Sequence, residues 1–141
     1  MISALDISTS ALIAQQTRLD AISGNIANLS TVRDENGDLQ PYQARYVVLQ
    51  TDPDVATASG AAVGVKVGSV ETEQIEPMYR YEPGNPLAIT DGKWQGYVAY
   101  PRVDLNTEFV DALTAVRAYE ANVGVMEMTK GMGAQTLKIL V

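Results

Sequence analysis

Residues 3–29 read SALDISTSALIAQQTRLDAISGNIANL, and the spacing of their aliphatic side chains decides the fold. With Leu5 as heptad position a, the a series is Leu5, Leu12, Leu19 and Ile26, and the d series is Ser8, Gln15, Ile22 and Leu29. The a series is aliphatic throughout; the d series becomes so only in its second half. A seven-residue repeat held over about four heptads predicts a helix that supercoils against another. Ser3 followed by Asp6 has the spacing of a capping box at its start. At 1.5 Å per residue such a helix is ~40 Å long.

The far end of the chain mirrors this pattern from Asp104 to Val141. One stripe is Leu105, Ala112, Tyr119, Met126, Gly133 and Leu140; its partner is Phe109, Val116, Val123, Lys130 and Leu137. Val110, Leu113, Val125, Met128, Met132 and Ile139 add apolar surface outside both stripes. A helix with more than one apolar stripe is buried on several sides. Gly124, Gly131 and Gly133 each cost ~1 kcal/mol against Ala in a helix, and they suggest close approach of a neighbouring backbone. The unbroken helix would be ~55 Å long.

Residues 32–103 read instead as strands and loops. Tyr42–Gln50 is rich in β-formers, Val63, Val65 and Val67 alternate with Gly64, Lys66 and Gly68, and Met78–Tyr81 and Gly96–Tyr100 are two further short strands. Asn36-Gly37 marks a turn, while Asp52-Pro53-Asp54 and Pro83-Gly84-Asn85-Pro86 punctuate loops. The predicted fold class is α+β. Its zones are an N-terminal helix in 1–31, a β-rich middle in 32–103 and a C-terminal helix in 104–141. The terminal helices pair as a coiled coil, and the listed heptad residues form the seam. Each helix carries more apolar surface than so small a middle can cover, so the excess predicts protein–protein contact. The termini are expected to finish folding in an assembly.

Composition narrows the chemistry. The 141 residues include no Cys and no His, which removes disulfides, thiolate nucleophiles, imidazole bases and Cys- or His-ligated metals. The formal net charge of −7 and the absence of clustered Lys and Arg argue against a nucleic-acid groove. Met1–Ala14 holds no basic residue, and no run approaches the ~20 apolar residues of a membrane span, so neither a cleaved signal nor membrane insertion is expected.

Each catalytic reading yields to a plainer one. Gly92-Lys93-Trp94 lacks the Ser/Thr and the glycine spacing of a P-loop. Gly131-Met132-Gly133 lies inside a helical pattern, which speaks against a dinucleotide site. The acidic run Asp34–Asp38 lacks the ligand spacing of a calcium loop and reads as a solvated turn. Glu71, Glu73 and Glu76 read as an exposed strand face, Arg117 and Glu120 as a surface pair, and Met126, Met128 and Met132 as adaptable packing. The expectation is no catalytic residue, no cofactor and no metal.

Five segments in order carry a family resemblance. Ala14–Asp20 running into Asn25-Ile26-Ala27-Asn28-Leu29-Ser30-Thr31, then Pro41-Tyr42 before a β run, resembles the signature of bacterial flagellar rod and hook axial proteins. Arg117-Ala118-Tyr119-Glu120-Ala121-Asn122-Val123 is similar to that family's closing helix, and Tyr81–Pro86 and Gly96–Pro101 narrow the likeness to the proximal rod type. Thr90–Gln95 departs from the pattern by adding residues. The resemblance implies family-motif residues at Asn25, Ala27, Asn28, Thr31, Arg117, Tyr119, Glu120 and Asn122. It implies a non-enzymatic subunit of the periplasmic rod, exported by the flagellar type III apparatus without a cleaved signal. Such a subunit self-associates in a helical assembly, lines the export channel and transmits torque to the hook. The implied neighbours are rod subunits of the B, F and G types, the rod–ring adaptor FliE and the MS ring. The same seams also fit a non-polymerising secreted coiled-coil adaptor that binds a partner helix.

Overall fold

The computed structural model describes residues 2–139, with side chains from Ala4 onward. The elements are α1 (Ile2–Ala27), β1 (Arg45–Ala56), β2 (Val63–Thr72), β3 (Met78–Tyr81), β4 (Tyr97–Tyr100) and α2 (Leu105–Ile139). The α+β reading holds: two long helices from the chain ends enclose a small set of antiparallel strands. No helix among the described residues is long and apolar enough to cross a membrane.

α1 is the middle layer. It packs against α2 and against both strands of the β1–β2 hairpin, while α2 packs on α1 and on no strand. Cover from two sides explains why α1 buries Ser8, Ala14, Ile22 and Asn25, whereas α2 fully buries Ala115 alone. Arg18 Nη2 lies 3.4 Å from Asp111 Oδ1, and Asn25 Nδ2 lies 3.2 Å from Glu108 Oε1, so the helices run antiparallel. α1 is already helical at Ile2, which puts Ser3 inside the first turn; its proposed capping side chain lies outside the described residues. The cap that is described belongs to α2, where Asp104 Oδ1 accepts from the Asn106 and Thr107 amides at 2.8 and 3.3 Å.

The hairpin is longer than its β-former run suggests. β1 continues through Asp52-Pro53-Asp54, which had read as a loop. Asp52 pairs with Gly64 and Ala56 with Val63, so Pro53, Asp54 and Val55 bulge out of the ladder. A bulge is where a strand tolerates a proline that cannot donate. Gly64 is buried against α1: a Cβ there would stand 2.8 Å from Ser10 Oγ and 2.9 Å from Val55 Cβ. The Ser10 hydroxyl donates to the Ile7 carbonyl and accepts from the Val65 amide at 3.1 Å, fixing the hairpin to the helix at that point.

β3 and β4 form a second sheet that packs on no other helix or strand. Its centre is the fully buried Val98. Tyr79 stacks on Trp94 with ring centres 4.1 Å apart, and Trp94 meets Tyr97 edge-on at 5.5 Å. Glu82 accepts from Asn85 Nδ2 at 2.8 Å and from the Tyr100 hydroxyl at 3.2 Å, so the Tyr81–Pro86 and Gly96–Pro101 segments close on each other. The added Thr90–Gln95 stretch turns at Gly92, whose φ is +94°, and Trp94 staples it to the lobe.

Gly64→Ala is expected to lift the hairpin off α1 and destabilise the fold by about 1–3 kcal/mol. Urea unfolding would show this as a lower midpoint, and amide exchange at Val65 would quicken. An unchanged midpoint would mean that Ser10 and Val55 yield freely.

Candidate assembly interface

The end of α1 is built by the motif residues that follow it. Asn28 Nδ2 donates to the Gly24 carbonyl at 2.9 Å and caps the last turn. Thr31 Oγ1 donates to Asn28 Oδ1 at 3.0 Å, and the Thr31 carbonyl accepts from the Tyr42 amide at 2.9 Å. The chain therefore leaves the helix, passes through the Asp34–Asp38 turn and comes back beside Asn25. In that turn Asp34 Oδ1 accepts from the Asn36 and Asp38 amides, each at 2.9 Å, so the acidic run holds its own backbone.

Asn25 is 3% exposed and uses its whole hydrogen-bonding capacity. Its Oδ1 accepts from the Tyr42 hydroxyl at 3.0 Å and the Arg45 amide at 2.8 Å. Its Nδ2 donates to the Arg45 carbonyl at 2.9 Å and to the Glu108 carboxylate at 3.2 Å. One side chain thus joins α1, the start of β1 and the start of α2. Burial raises the Glu108 carboxyl above its ordinary value; Asn25 opposes the rise, and the Asp111 and Glu73 charges add to it.

The heptad residues fall into two groups. On α1 Ile22 is buried, Leu5, Leu12, Leu19 and Ile26 are half-buried, and Leu29 is half-buried in the turn beyond the helix. On α2 Ala112, Val123 and Met126 are half-buried, whereas Leu105, Phe109, Val116, Tyr119 and Leu137 are exposed; Leu140 lies outside the described residues. The face that α2 turns to α1 is Glu108, Asp111, Ala112, Ala115, Ala118 and Asn122. At 3.6 residues per turn it is rotated about a quarter turn from Phe109 and Val116. Of the α2 heptad residues, Ala112 and Met126 fall on or beside that face and are half-buried, whereas Leu105, Phe109 and Val116 are turned from it. The small residues at 112, 115 and 118 were its legible signal, since they let two helix backbones come close.

What remains is a partly exposed apolar face on which no other helix or strand among the described residues packs. Leu105, Phe109, Leu113 and Val116 share one side of α2, and Phe109 and Leu113 are 52% and 58% exposed. Arg117, Tyr119 and Glu120 of the closing motif are also exposed, and among the described residues no ion pair joins Arg117 to Glu120. Asn122 is half-buried and donates to the Ala118 carbonyl at 2.8 Å; Ala27 is exposed. A Cβ at Gly124 or Gly131 would meet nothing within 4 Å, so no backbone of this chain approaches either glycine.

Glu71, the one glutamate of the three that lies on β2, is tied into the hairpin. Glu71 Oε2 accepts from the cross-strand Tyr46 hydroxyl at 2.8 Å, and Oε1 accepts from Ser69 at 2.9 Å. Both bonds hold the Glu71 carboxyl below its ordinary value, the reverse of what a general acid needs.

Comparison with known proteins bears on the same two ends of the chain. A family model described as flagella basal body rod protein matches residues 5–33. A second, described as the C-terminal region of flagellar basal body rod FlgEFG protein, matches residues 95–139. The flagellar basal-body rod protein FlgC of Salmonella typhimurium is 41% identical over 139 residues, covering 99% of this chain and 97% of its own. That of Escherichia coli O6:H1 is 42% identical with the same coverage. The Bacillus subtilis FlgC is 36% identical over 146 residues, covering 96% of this chain and 95% of its own.

Two variants test the junction. Asn25→Ala strands the Arg45 amide and the Glu108 carboxylate, and is expected to cost about 2–4 kcal/mol in chemical unfolding. Glu108→Gln keeps an acceptor for Asn25 and removes the charge. The folded Glu108 value lies above the unfolded one. Its stabilising contribution is therefore complete below the unfolded value and is lost as pH rises through the folded value. Between mildly acidic and neutral pH the melting midpoint of Glu108→Gln should fall less than that of the wild type; parallel curves would contradict the burial of this carboxyl.

Proposed function

The chain belongs to the FlgC-type flagellar basal-body rod proteins, and from that premise we propose how its two terminal helices build the rod. It is a structural subunit of the basal-body rod. In our reading it polymerises through α1 and α2, which pair as a coiled coil in the inner tube of a shaft that carries torque to the hook and encloses an export channel. The axial layer is 1–31 with 104–141, and 32–103 forms the middle region outside it.

The observation that carries this reading is the uncovered apolar face of α2, Leu105, Phe109, Leu113 and Val116, beside the seam already occupied by α1. Burying aliphatic side chains of this size contributes about 1.5–3 kcal/mol each, enough in series to hold a loaded joint. Gly124 and Gly131 support it: each weakens α2 by ~1 kcal/mol, and only a neighbour outside the chain gives that weakness a use. The proposed neighbours are copies of this chain, rod subunits of the B, F and G types, the adaptor FliE and the MS ring. The proposed route is type III export without a cleaved signal, ending in the periplasmic part of the rod.

Deletion of the gene followed by imaging of purified basal bodies tests the assignment: motile cells with complete rods would overturn it. Phe109→Asp and Val116→Asp should leave folding within ~0.5 kcal/mol of wild type, because both positions are exposed, yet block incorporation into the rod. Leu19→Asp and Val123→Asp should block it as well. Normal incorporation of Phe109→Asp would mean that this face stays wet in the rod, and would favour the adaptor reading if the protein were also secreted free.

A further inference from the structure

A groove of about 610 Å³ runs along the N-terminal half of α1 where the hairpin leans on it. Ile13, Val55, Val65 and Val67 line it, and Ile13 is 60% exposed; of its charged residues Lys66 pairs with Asp52 at 3.4 Å, which among the described residues leaves Asp6 as the free carboxylate. At the same end of the molecule α2 outruns its partner. It has 35 residues against 26 in α1, so with antiparallel pairing from the Asn25–Glu108 junction about nine residues, ~13 Å, project past the start of α1. Val125, Met128, Met132 and Ile139 form one stripe that runs out onto this tip, where Met132 and Ile139 are 64% and 84% exposed.

Tip and groove are complementary. Residues 128–139 contain Lys130 and Lys138 and no acidic residue, in a chain whose net charge is −7. Among the described residues the three ion pairs involve neither lysine and leave Asp6 unpaired. The tip stripe offers methionines, which adapt to an irregular apolar wall. A straight helix carries the tip away from its own groove, so the occupant must come from another molecule.

We propose that this groove receives the α2 tip of a second copy of the chain, the cationic tip being steered to the Asp6 carboxylate. The proposal rests on the rod-subunit reading and gives it a direction. Groove and tip are different surfaces, so the contact is heterologous and passes head-to-tail from copy to copy instead of closing as a two-fold dimer.

The absence of native cysteine makes the test clean. Ile13→Cys and Met132→Cys are introduced together in the chromosomal gene, both at exposed positions. Within one chain the sites lie ~20 Å apart along the helices, beyond the ~7 Å Cα separation a disulfide allows. Basal bodies purified under oxidation should give a ladder of dimers and higher multiples, absent from either single variant and from Leu39→Cys with Met132→Cys. Complete rods that yield only monomer would overturn the groove contact and leave the rod assignment standing. Adducts to a protein of different mass would overturn self-contact. Absence of the unsubstituted chain from purified rods would overturn the rod assignment and this contact with it. As a second readout, Ile13→Glu should lower incorporation at least tenfold, and Met132→Lys in the same chain should restore it; wild-type incorporation of Ile13→Glu would also overturn the proposal.

Discussion

The fold depends on closing a chain whose two helices are separated by 77 residues of strand and loop, from the end of α1 at Ala27 to the start of α2 at Leu105. Asn25 performs that closure. It binds both the amide and the carbonyl of Arg45 and reaches the Glu108 carboxylate, so the hairpin and α2 are set in place by the same side chain. A buried amide left half satisfied would cost more than its bonds contribute, which is why Tyr42 must return to supply the last partner. The helix pairing and the seat of the hairpin follow from there.

Much of this architecture was legible. Both helices, the turn at Asn36-Gly37 and all four strands, β1 only as far as Gln50, follow from periodicity and turn chemistry, because those signals are local. The hidden parts were decided by neighbours. Asp52-Pro53-Asp54 looks like a loop until the ladder shows a bulge that accommodates it. Asn25 stood out only through family resemblance, since nothing in its neighbourhood announces a partner 83 residues away in Glu108. On α2 the larger apolar residues drew attention from Ala115, whose smallness is what brings the helices together. Heptad reading assumes that the largest side chains face the nearest partner; on α2 Phe109 and Leu113 do not.

The same division shows in how the polar side chains are used. The polar side chains that are buried or paired serve caps, turns and junctions. Asp104 caps α2, Asp34 ties its own turn and Glu71 bonds across the hairpin.

The β3–β4 lobe touches no other helix or strand and keeps its own aromatic staple. A stress passed along α1 and α2 therefore bypasses it. Residues can be gained there, as at Thr90–Gln95, without shifting the phase of either helix. The lobe can thus change length without disturbing the register in which the two helices meet.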